Sequence, residues 1–162
     1  MTPLARLWLD ALADAGVRAE LEAVYEYIAA CVEARAPICT ASGRCCNFDA
    51  FDHRLYVTGL ETAYTMKHPD GGPVSSEALD EAIGRGGCPY QPQRLCEARA
   101  ARPAGCRVYF CDPTAQAWQE GLGERVCQAI RDIHTRHGIE YRYGEWRAML
   151  REFVDGDVAG EP

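Results

Sequence analysis

Four cysteines stand within 24 residues of this chain, Cys88, Cys96, Cys106 and Cys111, in the stretch CPYQPQRLCEARAARPAGCRVYFC. A second group, Cys39 with the adjacent pair Cys45 and Cys46, lies upstream. Thiolates are soft ligands that select zinc, copper(I) or iron–sulfur centres, so seven cysteines in two compact groups point first to a metal site. Their spacing is informative. Structural zinc sites use pairs separated by two to four residues, and only Cys106 and Cys111 fit that rule. The wider gaps suit ligands converging from several loops on a larger object such as an iron–sulfur cluster. Cys45 and Cys46 are awkward partners for one ion, because neighbouring side chains normally diverge. Either one ligates and the other packs, or the two serve different metals, with His53 completing a second site.

A 4Fe-4S core held by four thiolates carries a net charge of about −2, which cannot be buried uncompensated. Arg44, Arg102 and Arg107 lie among the cysteines and are expected to offset it, although a solvated surface would also explain them. A Cys-His nucleophile built from His53 and Cys45 or Cys46 is the other chemistry these residues offer. Nothing in the spacing favours it over metal ligation. Cys31 and Cys127 fall on or beside apolar helical stripes and are expected to pack in the core. His134 and His137 are read as exposed polar positions on a long helix.

The pattern resembles that of the YkgJ-type cysteine-cluster proteins, a family described as zinc- or iron-chelating. Gly43-Arg44-Cys45-Cys46 matches the end of the family's first group. Cys88-Pro89-Tyr90, Cys96, Arg102-Pro103, Cys106-Arg107 and Cys111 match the second. The resemblance covers roughly residues 39–111, and Ser42 stands where the family's first group carries a further cysteine. It implies metal chelation by Cys39, Cys45, Cys46, Cys88, Cys96, Cys106 and Cys111. Related domains are similar to iron–sulfur methylases that use S-adenosylmethionine, but no glycine-rich loop for that cofactor is visible here.

The elements that must position these cysteines are helical. Thr2 and Pro3 open a helix that Gly16 is expected to stop, and Leu21, Val24, Tyr25, Ile28, Cys31 and Val32 mark a second reaching Arg35. Pro37 to Asp52 has no period and reads as loop. Arg54 to Val57 suggests a short strand, and Thr58 with Glu61 forms a capping box for a helix to about Lys67. Ser76 caps another helix ending at Gly84. No long helix is expected between Cys88 and Cys111, where Pro89, Pro92, Pro103 and Gly105 intervene. Thr114 begins a long helix closed by Gly138, Ile139 to Tyr143 alternates like a strand, and Trp146, Met149, Leu150 and Phe153 mark a last helix. The tail from Asp155 is acidic and expected to fray. The expected fold is therefore mainly α. It is one domain over 1–162, with helices of 2–35 and 114–154 packed around a loop-built cysteine core at 39–111.

Composition narrows the function. The 162 residues are 48% hydrophobic and 25% charged, ordinary for a globular protein, but nine cysteines are not. Asp10 and Asp14 interrupt the apolar run that an export signal would need, and no membrane span is present, so a cytoplasmic protein with free thiols is expected. A net charge of −7 argues against a nucleic-acid partner. The favoured reading is a 4Fe-4S protein in electron transfer, with a protein redox partner. An enzymatic role would be as an iron–sulfur oxidoreductase or the redox part of a modification enzyme. The alternative is a zinc-binding structural, interaction or chelating module without catalysis. No residue is singled out as catalytic.

Overall fold

The computed structural model describes residues 1–154, and the tail from Asp155 lies outside them. Thr2 accepts a hydrogen bond from the Ala5 amide through its side chain and Pro3 takes the first helical position, so α1 runs Pro3–Ala13. Asp14 then caps α2, Ala15–Arg35, by accepting from the Gly16 and Val17 amides. Gly16 therefore lies inside the first turn of α2 and is not the stop the sequence suggests. The break is made by the Asp14 carboxylate, which rewards a fresh helix start.

The capping box forms as expected. The Glu61 amide donates to the Thr58 hydroxyl while the Glu61 carboxylate accepts from the Thr58 amide, opening α3, Gly59–Lys67. Ser75, one residue before the expected cap, starts α4, Ser76–Gly84. The Cys88–Cys111 stretch, expected to lack a long helix, carries one of five residues, α5, Ala104–Val108. Pro103 precedes it, and so does not break it. Asp112 caps a 3-10 turn over Pro113–Ala115 that leads into α6, Gln116–Arg136. The last described helix, α7, is Trp146–Val154.

Two short strands, β1 at Tyr56–Thr58 and β2 at Tyr143–Glu145, pair antiparallel, with Val57 opposite Gly144. They tie the middle of the chain to its end, and the Trp146 amide extends the ladder to the Leu55 carbonyl.

The fold is mainly α, with helices from both ends of the chain sharing one core. α1 packs on α3, α2 on α6 and α5, and α7 on α4. Trp8, fully buried, lies so close to Gly59 that a Cβ there would stand 2.1 Å from the indole. Its indole N–H donates to the Glu140 carbonyl at 2.8 Å, fixing the segment before β2. Among the described residues no helix is long and apolar enough to cross a membrane.

Candidate metal centre

Two loops carry the cysteines, and backbone bonds clamp them together. The Cys88 amide donates to the Cys46 carbonyl at 3.0 Å, and the Asp49 amide to the Gly86 carbonyl at 3.0 Å. Gln91 adds a side-chain clip, its Nε2 donating to the Gly43 carbonyl at 3.0 Å and to the Arg94 carbonyl at 2.7 Å. Gly43 is required there, since it has φ of 77° and a Cβ would meet the Arg94 carbonyl oxygen at 2.4 Å. Ala36, Ala41 and Asp52 also take left-handed backbone angles, at a cost of about 1 kcal/mol each. Tertiary contacts must hold that loop.

The result is a convergence of thiols around Cys46, which sits in a 3-10 turn, Arg44–Cys46. Cys45 Sγ lies 4.0 Å from Cys46 Sγ, and the Cys46 thiol also interacts with the thiols of Cys88 and Cys96. Cys106, on α5, is near enough to feel Cys88, Cys96 and Cys45 electrostatically. Cys39 and Cys111, exposed like Cys45, lie on adjoining segments, where the Ile38 amide donates to the Asp112 carboxylate. Cys39, Cys45, Cys46, Cys96, Cys106 and Cys111 line one cavity of about 350 Å³. Cys88 is buried behind it and accepts from the Trp146 indole N–H at 3.3 Å.

Crowding separates the thiols by acidity. Interaction with Cys46 pulls Cys45 down to about 6 and Cys96 down to about 7, each against burial and with help from Arg102. Cys88 is lowered by the same Cys46 contact, against burial. Cys46 itself is pushed up, first by Cys45 and then by Cys88 and Cys96, because its proton serves all three sulfurs. Burial pushes Cys106 up. A thiol crowded by three others whose acidity it raises marks a place where a cation is electrostatically favoured. Among the described residues, no group of three or more Cys, His, Asp or Glu side chains is yet arranged to hold a metal ion.

Positive charge borders the thiols. Arg102 acts on Cys45, Cys96 and Cys106, and its side chain is held by the Arg99 and Cys106 carbonyls. Arg107 lies 4.1 Å above the Tyr25 ring and donates to the Arg102 carbonyl. Among the described residues, neither arginine has a carboxylate at ion-pair distance. Arg44 instead covers Phe51.

Several expectations change. His53 directs Nε2 to the Cys45 carbonyl at 3.2 Å and stacks on Tyr109, so that nitrogen does not face a thiol. Cys127 is exposed beside Tyr143 and does not pack in the core, because α6 turns that face to a second cavity. His134 is buried, its Nδ1 bonded to the Glu140 carbonyl, while His137 pairs with Glu20 at the surface. Gln91, Tyr25 and Trp146 border the centre although the sequence did not mark them. Tyr25 shows only an apolar helical position, and among the described residues its buried hydroxyl has no hydrogen-bond partner. Trp146 lies 58 residues from the cysteine it contacts.

No family model matches the chain, and no curated protein or solved structure is significantly similar to it.

Proposed function

We propose that the chain is a cysteine-ligated metal protein whose thiol cavity holds an iron–sulfur cluster of the 4Fe-4S type. Its role would be redox or electron transfer in a reducing cytoplasm, with a protein partner that exchanges electrons. The observation that carries this reading is the convergence of Cys45, Cys88 and Cys96 on Cys46, with Cys106 beside them, at a cavity of about 350 Å³. That volume is more than a single ion needs. Four of these five cysteines would hold the cluster, and Cys39 and Cys111 would stand at its exposed edge. Arg102 and Arg107 supply the compensating charge, and Trp146 supplies a hydrogen bond to one thiolate, both of which tune such centres. A bound cluster contributes one-electron chemistry. The resemblance of residues 43–46 and 88–111 to a zinc- or iron-chelating family points the same way.

One distance favours zinc. Zinc–sulfur bonds of about 2.3 Å place the sulfurs of a tetrahedron about 3.8 Å apart, close to the Cys45–Cys46 separation of 4.0 Å. A zinc module would then organise the two loops without redox chemistry. Electron paramagnetic resonance of anaerobically purified, dithionite-reduced protein separates the two. The cluster reading predicts a paramagnetic iron–sulfur signal, and a silent, colourless, zinc-loaded sample overturns it.

A further inference from the structure

Helix α5 separates two cavities. Cys106 faces the thiol cavity, whereas Ala104, Gly105 and Val108 line a second one of about 370 Å³, and Tyr109 borders both. The second cavity has the size and apolar lining of a small-molecule site. Val108, Val126 and Ile130 make its apolar floor, and its walls are tyrosines from three segments. Tyr56 of β1 and Tyr143 of β2 stack with ring centroids 5.8 Å apart, yet each remains about half exposed, at 48% and 47%. Tyr141 stands with them at the same opening. Such large aromatic faces are left open to water at a cost unless something covers them.

The charge of the lining has one sign. Glu120 and Glu61 line it, and among the described residues no lysine or arginine does, although Arg131 lies 5.0 Å over the Tyr141 ring and Arg107 acts on Glu61 from behind. Glu61 is buried and already accepts from the Thr58 amide and hydroxyl and the Ala104 amide, so its carboxylate is fixed in place. Helix α6 also carries Gly123 here, where a Cβ would meet nothing within 4 Å. A glycine inside a helix costs about 1 kcal/mol relative to alanine, and packing does not require this one. Its absent side chain leaves the cavity wide.

We propose that this cavity binds a small planar aromatic amine, its ring against Tyr56 and Tyr143 and its ammonium toward Glu120. Tyrosine faces attract cations, and the exposed Glu120 carboxylate in a lining without lysine or arginine among the described residues selects a positive over a negative substituent. The site is independent of which metal the thiols hold.

Tryptamine and indole-3-acetate, which share a ring and differ in charge, test it on the full-length protein as purified without oxygen. Amide shifts of Gly105, Gly123 and Val126 should saturate with tryptamine at least about tenfold more tightly than with indole-3-acetate. Gly123→Leu should abolish saturation while helical content and metal content stay unchanged. Glu120→Lys, at an exposed position, should reverse the charge preference and serves as the reading if Gly123→Leu does not fold. Absence of saturable shifts in the wild type, equal affinity for the two probes, or unchanged binding in a folded Gly123→Leu overturns the proposal.

Discussion

The indole N–H of Trp146 lies 3.3 Å from the sulfur of Cys88, joining the first residue of α7 to the buried wall of the thiol centre. Both residues are almost fully inaccessible, so the bond has no water to replace it. Trp146→Phe keeps most of the ring packing and deletes the donor. It should destabilise the fold by about 1–3 kcal/mol in urea unfolding, from the lost bond and a small void. If iron–sulfur is bound, its reduction potential should fall, because a hydrogen bond to sulfur favours the more negative, reduced state. An unchanged potential would remove Trp146 from the centre's surroundings.

Gln91 fastens the first cysteine loop to the second through the Gly43 carbonyl, while the Arg94 carbonyl of its own loop holds the side chain in place. Gln91→Ala leaves both acceptors without their donor in a partly buried setting, at a cost of about 1–3 kcal/mol. Metal release to a chelator should accelerate in parallel with that loss, since the clip holds Gly43 and hence Cys45 and Cys46 in register. Lost stability without faster release would show that the clip serves the fold alone.

Cys46→Ala should lower metal retention at least tenfold to a hundredfold, judged by what removal of even an outer-shell partner costs at metal sites. Cys31→Ala and Cys127→Ala should leave metal content unchanged, because those thiols lie outside the cavity. Metal analysis of the three purified variants reads this directly.

His134 gives a pH dependence of known sign. Burial lowers its pKa below the ordinary 6.5, and its Nδ1 donates to the Glu140 carbonyl while buried Nε2 has no partner among the described residues. The neutral ring is therefore the folded form. Its contribution is fully present above about pH 6.5 and is lost as pH falls toward the lowered value, where only the unfolded chain takes up the proton. His134→Gln should flatten the stability profile between pH 7 and the acid side relative to wild type, measured by urea midpoints. A parallel profile would contradict the buried neutral assignment.

Local signals in the chain were legible where a short-range hydrogen bond decides the structure. Thr58 and Glu61 announce α3, and Thr2 with Pro3 announces α1, because each cap is completed within three residues. Gly16 misleads for the same kind of reason, since Asp14 two residues earlier reverses its meaning. The strands expected at Arg54–Val57 and Ile139–Tyr143 fall later, at Tyr56–Thr58 and Tyr143–Glu145, because their bounds are set by a pairing between segments far apart in sequence. His134 looks polar and exposed by type, yet one face of α6 turns it inward. The seven cysteines were visible from composition and spacing, but their division was not. Six of them line one cavity while Cys88 is buried behind it, and the Ile38 amide joins the Cys39 and Cys111 segments through Asp112, a contact across 74 residues.

The central claim is that Cys45, Cys46, Cys88, Cys96 and Cys106 supply the ligands of an iron–sulfur cluster. Iron, acid-labile sulfide and zinc measured on one anaerobically purified sample, with its visible spectrum, test it most directly. The cluster reading predicts a brown protein with about four irons and four sulfides per chain. A colourless protein with stoichiometric zinc and no sulfide would contradict it.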